Sequence, residues 1–185
     1  MSLRKLSYHE SKLLKKVDFL QWKSDDNIRV VSILRRYHIQ RREDYIKYNK
    51  IIGHIQSLVS KLLSLESNDT HRILVTDQLI TKLYNIGLIN NKNNLAECSK
   101  VNVSSICRRR LSVILVRLHM CESIKQAITL IEGGNIRIGP NTITDGAYIV
   151  TRSMEDWITW VDGSKIQRTV QKYNDVLDDF TLLGN

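Results

Sequence analysis

The chain has 185 residues, of which 42% are apolar, and its formal net charge is +9. That apolar content is enough for a core and argues against wholesale disorder. A positive electrostatic field favours partners rich in phosphate, or anionic membrane surfaces. The alternative is a basic protein whose charge only keeps it soluble.

The cysteines and the apolar runs bear on the compartment. Cys98, Cys107 and Cys121 are odd in number and lack C-x-x-C spacing. They therefore argue against a disulfide framework or a zinc site and favour a reducing, intracellular compartment. The sequence has no apolar run of transmembrane length and no signal-peptide core at its start, so we expect a soluble protein.

The first third of the chain holds most of the basic excess and has the pattern of amphipathic helices. Residues 1–60 carry 13 Lys and Arg against six Asp and Glu. Leucines at helical spacing predict a helix over about 6–20, and a second helix follows a break at 24–26. Two groups of cations accompany these helices: Lys12, Lys15 and Lys16, then Arg35, Arg36, Arg41 and Arg42.

Two further helices complete this region. Apolar residues from Tyr48 to Leu62 recur at i, i+3 and i+4 and predict the most regular helix of the chain. After a break at 68–70, a fourth helix runs to Gly87, a residue typical of a helix C-terminus. Because their apolar faces need cover, we expect these helices to pack on one another and on the later part of the chain.

A run of three arginines, Arg108–Arg110, marks the next segment. The pattern predicts a helix capped by Ser104 or Ser105, so the run lies near its start, where the dipole disfavours cations by about 0.3–1 kcal/mol. A bound anion would explain the run, because guanidinium groups at a helix N-terminus suit phosphate. The alternative is three solvated arginines. A spacing of seven residues places Arg110 and Arg117 on one margin of this helix.

Residues 123–161 have the pattern of one more helix and a small sheet. Ser123 and Gln126 fit a capping box at the start of a helix that ends at 133–134. Alternation over 135–138 predicts a strand with Arg137 facing outward. Further short strands are predicted at 142–144, 148–150 and 157–161. We therefore predict an α+β module in which two short helices pack on a small bent β-sheet.

These elements resemble the RNA-binding domain named after small-subunit ribosomal protein four, here called the S-four domain. The family pattern occurs as Arg109-Arg110-Leu111, Ser123, Ala127 and then 134–139. The chain departs from it at Ile128, where the family often has Arg, and in the turn at 139–141. The match covers 107–161, which leaves a basic helical region at 1–106 and a C-terminal helix and tail at 162–185.

The resemblance implies an RNA-binding surface. Phosphate contacts by Arg and Lys would supply affinity and register, and few aromatic residues are available for stacking, so we expect recognition of RNA backbone and helix shape. The residues expected to bind RNA are Arg108, Arg109, Arg110, Arg117, Ser123, Lys125, Gln126, Asn135 and Arg137, with Lys12, Lys15, Lys16, Arg35, Arg36, Arg41 and Arg42 in the helical region. The alternatives there are a solvated face for the three lysines and a protein-docking surface for 24–65.

A wider resemblance extends over essentially the whole chain. The segments RKLSYHESKLLKKVDFLQWK, YHIQRREDYIKYNKI and TRSMEDWITWVD are similar to the Imp-three branch of the S-four family, in the U-three small nucleolar ribonucleoprotein of the small-subunit processome. The branch implies a nucleolar protein of ribosome biogenesis that binds U-three small nucleolar RNA, helps it pair with precursor ribosomal RNA during 18S rRNA maturation, and docks on M-phase phosphoprotein ten. The alternative is structural ribosomal protein four of the mature small subunit.

An enzyme is not predicted. The five histidines form no ligand pair or triad, and no glycine-rich loop of the nucleotide-hydrolase type occurs. Glu155 and Asp156 are adjacent carboxylates, but we expect them in a loop before a strand. Trp157 and Trp160 are expected to pack within the sheet. We predict no metal and no cofactor.

Overall fold

The computed structural model describes residues 4–16, 24–92 and 94–176, and the chain divides into two compact units, Met1–Arg36 and Tyr37–Asn185. The first unit contains α1 (Tyr8–Lys16) and α2 (Ser24–Arg36). α1 begins within the predicted first helix, whereas α2 begins at Ser24, inside the segment expected to be a break. The expected apolar positions at 17 and 20, and the predicted tail beyond residue 176, lie outside the described residues.

The second unit starts with the helices that precede the S-four module in the chain. They are α3 (Arg42–Ser64), α4 (Thr70–Ile86), α5 (Leu95–Ser99) and α6 (Val103–Cys107). The predicted stripe on α3 is confirmed at Tyr48, Ile52, Val59 and Leu62, which are buried. It is wrong at Ile51 and Leu58, which the pattern also places in the stripe but which are exposed. None of the helices in the described part of the chain is long and apolar enough to cross a membrane.

The elements of the S-four module are α7 (Leu111–Arg117), α8 (Ile124–Glu132), β1 (Ile136–Ile138), β2 (Asn141–Thr142), α9 (Arg152–Glu155) and β3 (Ile158–Trp160), and α10 (Lys165–Tyr173) follows the module. The strand expected at 148–150 is wrong, because only a single bridge forms there, at Ile149. The pattern also does not predict α9. The sheet is antiparallel with strand order β2-β1-β3. The α+β class, with a helical region before the module and a helix after it, is therefore confirmed.

The core of the module lies between α7, α8 and the inner face of the sheet. Leu111, Ile114, Ile131 and Ile136 are fully buried, and the alternation along β1 turns Arg137 away from them. The helix start at Ser123 is also confirmed, because its hydroxyl accepts a hydrogen bond from the backbone N–H of Gln126 at 3.3 Å. The local pattern thus predicts both helix faces and the strand that they cover.

The expected single helix from Ser104 or Ser105 onward is wrong. The N-cap of α6 is Asn102, and the chain leaves the helix at Arg108 before α7 begins at Leu111. Arg110 is extended and forms an antiparallel bridge with Ile149. The N–H of Leu111 donates to the carbonyl of Tyr148 at 2.8 Å, and the N–H of Val150 donates to the carbonyl of Arg109 at 2.9 Å. These long-range hydrogen bonds replace two that a continuous helix would make.

Two further expectations near the end of the module are wrong. Glu155 lies in α9 rather than in a loop. Trp157 is 65% exposed, whereas Trp160 packs against the core. The reason is the alternation of side chains at β3, which directs Ile158 inward and its neighbours outward.

Gly87 connects α4 to the module and cannot carry a side chain without strain. Its φ is +86°, and a Cβ there would lie 2.8 Å from Nε and Cζ of Arg109. Its N–H bonds to the carbonyls of Leu83 and Tyr84, which ends α4. Both the left-handed conformation and the close approach of Arg109 therefore require glycine.

We expect Gly87→Ala to lower the free energy of unfolding by about 1–3 kcal/mol, the cost of a strained backbone conformation, with the Arg109 contact adding to it. The measurement is chemical denaturation followed by circular dichroism. Gly53→Ala is the matched control, because a Cβ there meets nothing within 4 Å and removing glycine from a helix interior stabilises by about 0.5–1 kcal/mol. Equal effects of the two substitutions would contradict this account.

Candidate nucleic-acid interface

Arg109 is the most tightly held of the three consecutive arginines. It is 5% exposed, and its Nε and Nη2 donate to the carbonyl of Val150 at 3.0 and 2.8 Å. Its Nη1 donates to Oε2 of Glu155 at 3.1 Å. Burial, followed by repulsion from Arg152, lowers the pKa of Arg109. This guanidinium is thus a buried cation with a carbonyl and a carboxylate as partners.

Glu155 binds a second arginine. Its Oε1 forms an ion pair with Nη2 of Arg117, whose side chain is 53% exposed. Burial, then the neighbouring cations Arg109 and Arg152, lowers the pKa of Arg117. Because Arg117 is at the end of α7 and Glu155 is on α9, one carboxylate joins these helices to the Arg108–Arg110 segment.

Arg152 extends this cluster to the loop after α4. Its Nη2 donates to the carbonyl of Ile89 at 2.7 Å and to Oδ1 of Asn90 at 3.3 Å. Its Cζ lies 4.2 Å from the ring centroid of Tyr84, a cation–π geometry. Its Nε is buried and has no hydrogen-bond partner among the described residues.

These side chains surround a cavity of about 430 Å³. We call it the arginine cavity. Its walls contain four arginines and one glutamate, so the charged residues at the cavity sum to +3. The lining residues are Gly87, Leu88, Asn90, Ser105, Arg108, Arg109, Arg117, Arg152 and Glu155. A concave site with an excess of guanidinium groups can bind phosphate by charge-assisted hydrogen bonds.

Arg110 lies apart from this cavity. It is 3% exposed, and its Nη2 donates to the carbonyl of Gly146 at 3.2 Å, while its Nε and Nη1 have no partner within the described part of the chain. Burial raises the pKa of Tyr48, and Arg110 partly opposes that shift. Arg110 and Arg117 are therefore not brought together, because α7 begins only after Arg110.

The other predicted residues of the module are more accessible. Arg108, Ser123, Lys125 and Gln126 are exposed. The half-buried residues are Asn135, whose Nδ2 donates to the carbonyl of Leu130 at 3.4 Å, and Arg137, which pairs with Asp162 and donates to Oγ1 of Thr159 at 3.0 Å. Arg137 does face outward, but its charge is shared with a carboxylate. RNA binding by all these residues stays a prediction.

The basic residues of the helical region divide between the two units. Lys12, Arg35 and Arg36 are exposed in the first unit. The side chains of Lys15 and Lys16 lie outside the described residues, although both positions are in α1. In the second unit, Arg41 and Arg42 are exposed at the start of α3.

Sequence reasoning missed Arg152, the Glu155 bridge and the loop after α4. Arg152 and Glu155 come far after the arginine run in the chain, the loop comes before it, and no short motif links the three segments. The only local signal is the segment TRSMEDWITWVD, which the family resemblance singles out as a whole. Contacts at such separation are decided by packing and not by periodicity.

Metal and thiol chemistry receive no support from the described residues. No group of three or more His, Cys, Asp or Glu side chains among them could hold a metal ion. Cys98, Cys107 and Cys121 are free and buried. Burial raises the pKa of Cys107 to about 11 and also raises that of Cys98 and Cys121. At neutral pH these groups are therefore thiols and poor nucleophiles.

The contrast between neighbouring arginines gives a stability test. We expect Arg109→Ala to lower the free energy of unfolding by about 3–5 kcal/mol, because it breaks a buried ion pair and leaves the Val150 carbonyl without its donors. Arg108→Ala, at an exposed position, is the control and should change it by no more than about 0.5 kcal/mol. Denaturant titration of both variants measures the difference. Similar stabilities of the two variants would show that Arg109 is not a structural residue.

Comparison with known proteins agrees with this architecture. Residues 5–108 match the family model described as the ribosomal protein S4/S9 N-terminal domain, and residues 109–156 match the S4 domain. The chain is 51% identical to the U3 small nucleolar ribonucleoprotein protein IMP3 of Saccharomyces cerevisiae, over 96% of this chain and 98% of that protein. It is 46% identical to the Homo sapiens protein of that name, over 97% of this chain and 98% of the other.

More distant relatives include small ribosomal subunit protein uS4 of Methanocella arvoryzae, 28% identical over 74% of this chain and 69% of that protein. These relatives are named as ribonucleoprotein or ribosomal components, and their names describe no enzyme. The identity is much higher to the first group and extends over nearly the full length of both chains. The chain therefore belongs to the IMP3 family, a branch of the ribosomal protein S4 family.

Proposed function

We propose that this chain is an RNA-binding ribosome-assembly factor that binds U3 small nucleolar RNA and promotes or stabilises its pairing with precursor ribosomal RNA during 18S rRNA maturation. The observation that carries the proposal is the 51% and 46% identity, over nearly the whole chain, to proteins named as U3 small nucleolar ribonucleoprotein components. The same relationship supports a nucleolar location.

The charge distribution supports this proposal physically. The net charge is +9, and the module presents exposed cations at Arg108, Arg117 and Lys125. Neutralising phosphates releases counterions and supplies affinity without reading sequence. A factor that holds two RNA strands together needs this kind of contact, since pairing itself reads the sequence and the protein recognises backbone and helix shape.

The alternative is a structural protein of the mature small subunit. It is supported by the match of residues 5–108 to the ribosomal S4/S9 N-terminal domain and by relatives such as uS4 at 28% identity. The higher identity to the IMP3 proteins favours the assembly factor. Sedimentation separates the two, because an assembly factor co-migrates with large precursor particles and is absent from translating ribosomes.

We further propose that α3 docks a protein partner, M-phase phosphoprotein ten. Beside its buried stripe, α3 exposes Ile51 and Leu58, which are 46% and 38% exposed. They are seven residues apart and so lie on the same face of the helix. Apolar side chains on an exposed helix face suit a protein contact better than an RNA phosphate.

The first test measures RNA binding as a function of salt. We expect the triple variant Arg108→Gln, Arg117→Gln, Lys125→Gln to bind U3 RNA more weakly and to lower the slope of log K against log salt by about 2, since each lost phosphate contact removes about 0.7–0.9. Fluorescence anisotropy at several salt concentrations measures this slope. Arg109 and Arg110 are left intact because both are buried and their loss would confound binding with unfolding.

The control is a second triple variant with the same charge change, Lys82→Gln, Lys165→Gln, Lys172→Gln, at exposed positions outside the predicted surface. This control variant should retain most of the slope of log K against log salt that the wild-type chain shows. An unchanged slope in the first variant would remove these residues from the RNA-binding surface. Annealing of U3 RNA to a precursor rRNA strand, with and without the wild-type chain, tests the pairing activity itself.

The second test separates RNA binding from protein docking on α3. We expect Ile51→Asp, Leu58→Asp to weaken co-purification with M-phase phosphoprotein ten about tenfold or more, because the charges would be placed in an apolar contact. Affinity for U3 RNA should be retained. Val170→Asp, on exposed apolar surface of α10, is the control. Loss of RNA binding with retained partner binding would reverse the assignment of α3.

A further inference from the structure

We propose that the arginine cavity binds phosphate groups of the RNA backbone in competition with Glu155, so that the carboxylate which bridges Arg109 and Arg117 in the free protein gives up Arg117 to a phosphodiester. This inference rests on the proposed RNA-binding function and deepens it. It assigns a role in RNA binding to Arg152 and Glu155, neither of which is among the residues that the sequence predicts.

The cavity has more positive charge than its single carboxylate can neutralise. Four arginines and one glutamate line it, and Glu155 accepts from only two of the arginines. The remaining repulsion contributes to the lowered pKa of Arg109 and of Arg117. An anion that enters the cavity would reduce the repulsion between the arginines, whereas a further cation would increase it.

The arginines differ in how firmly they are held, and this difference divides their roles. Arg109 and Arg152 are anchored to the carbonyls of Val150 and Ile89 and form fixed walls. Arg108 is exposed, and the side chain of Arg117 is 53% exposed with Glu155 as its ion-pair partner. Arg117 can therefore exchange one anionic partner for another without the loss of a buried contact, while Glu155 keeps Arg109.

The surroundings of the cavity favour a polymer over a single phosphorylated residue. A second cavity of about 320 Å³ adjoins it, and Leu88, Asn90 and Ser105 line both. Lys100 and Glu97 both lie in the wall of the second cavity, so its charged residues sum to zero. A phosphate monoester on a peptide would occupy one position. An RNA backbone has one charge for each nucleotide and can continue from the arginine cavity into the second cavity, beside Lys100.

Competition predicts an effect that a purely structural ion pair does not. In Glu155→Gln the amide oxygen can still accept from Arg109, but its negative charge is lost. We expect the affinity of the full-length chain for U3 RNA to rise about three- to tenfold at moderate salt, since a partly exposed competing charge is removed. Glu122→Gln, on the same module and exposed, makes the same charge change away from the cavity and should alter affinity less than about twofold.

The experiment measures anisotropy of labelled U3 RNA with wild-type chain, Glu155→Gln and Glu122→Gln, with circular dichroism to check folding. Higher affinity for Glu155→Gln alone supports the proposal. Affinity that falls or stays unchanged while the variant remains folded overturns it, because Glu155 would then be only a structural bridge. If Glu155→Gln does not fold, Arg108→Gln at the exposed edge decides, with a three- to tenfold loss expected and no loss overturning the proposal.

Competitors distinguish the source of the phosphate. Inorganic phosphate and a phosphoserine peptide are each titrated against the wild-type complex with RNA. Displacement by the peptide at concentrations where inorganic phosphate has no effect would favour a phosphopeptide site and overturn the RNA assignment. If the wild-type chain does not bind RNA, the proposed function itself fails and this inference with it. If it binds but the cavity variants behave as their control, only the cavity assignment fails.

Discussion

The buried guanidinium of Arg109 is the interaction on which the second unit depends. A charge in the interior is costly unless it is paired and hydrogen-bonded, and here the partners are the carbonyl of Val150 and the carboxylate of Glu155. The side chain also passes close to Gly87 at the end of α4. A single cation therefore connects the end of α4 to the start and to the end of the S-four module.

This constraint also explains where the candidate interface lies. Once Arg109 is fixed in the interior, Glu155 is held beside it, and Arg117 pairs with the other carboxylate oxygen. Arg152, three residues before Glu155 in the chain, bonds the loop after α4. The cavity is thus a consequence of the same contacts that join α4 and the loop after it to the module. Its excess of positive charge is the charge that those contacts do not neutralise.

Local pattern predicts much of this structure and misses one decisive feature. The four buried positions on α3 and the outward side chain on β1 follow from periods that a single element displays by itself, and the cap at Ser123 follows from a short motif. The break between α6 and α7 does not, because nothing in Arg108–Arg110 disfavours helix strongly. The break forms because the backbone of 148–150 is hydrogen-bonded to the backbone of 109–111. Only the folded chain brings those two segments together.

The helices, the α+β class, the basic character and the family of this protein are all legible in its amino-acid sequence. Those properties reside in composition, in short-range spacing and in motifs that occupy consecutive positions. Tertiary contacts decide that Arg109 and Arg110 are buried while Arg108 is exposed. They also decide that Arg152 and Glu155 lie beside Arg109. The fate of a charged side chain depends on partners that can neutralise it, and for Arg109 those partners are 41 and 46 residues away along the chain.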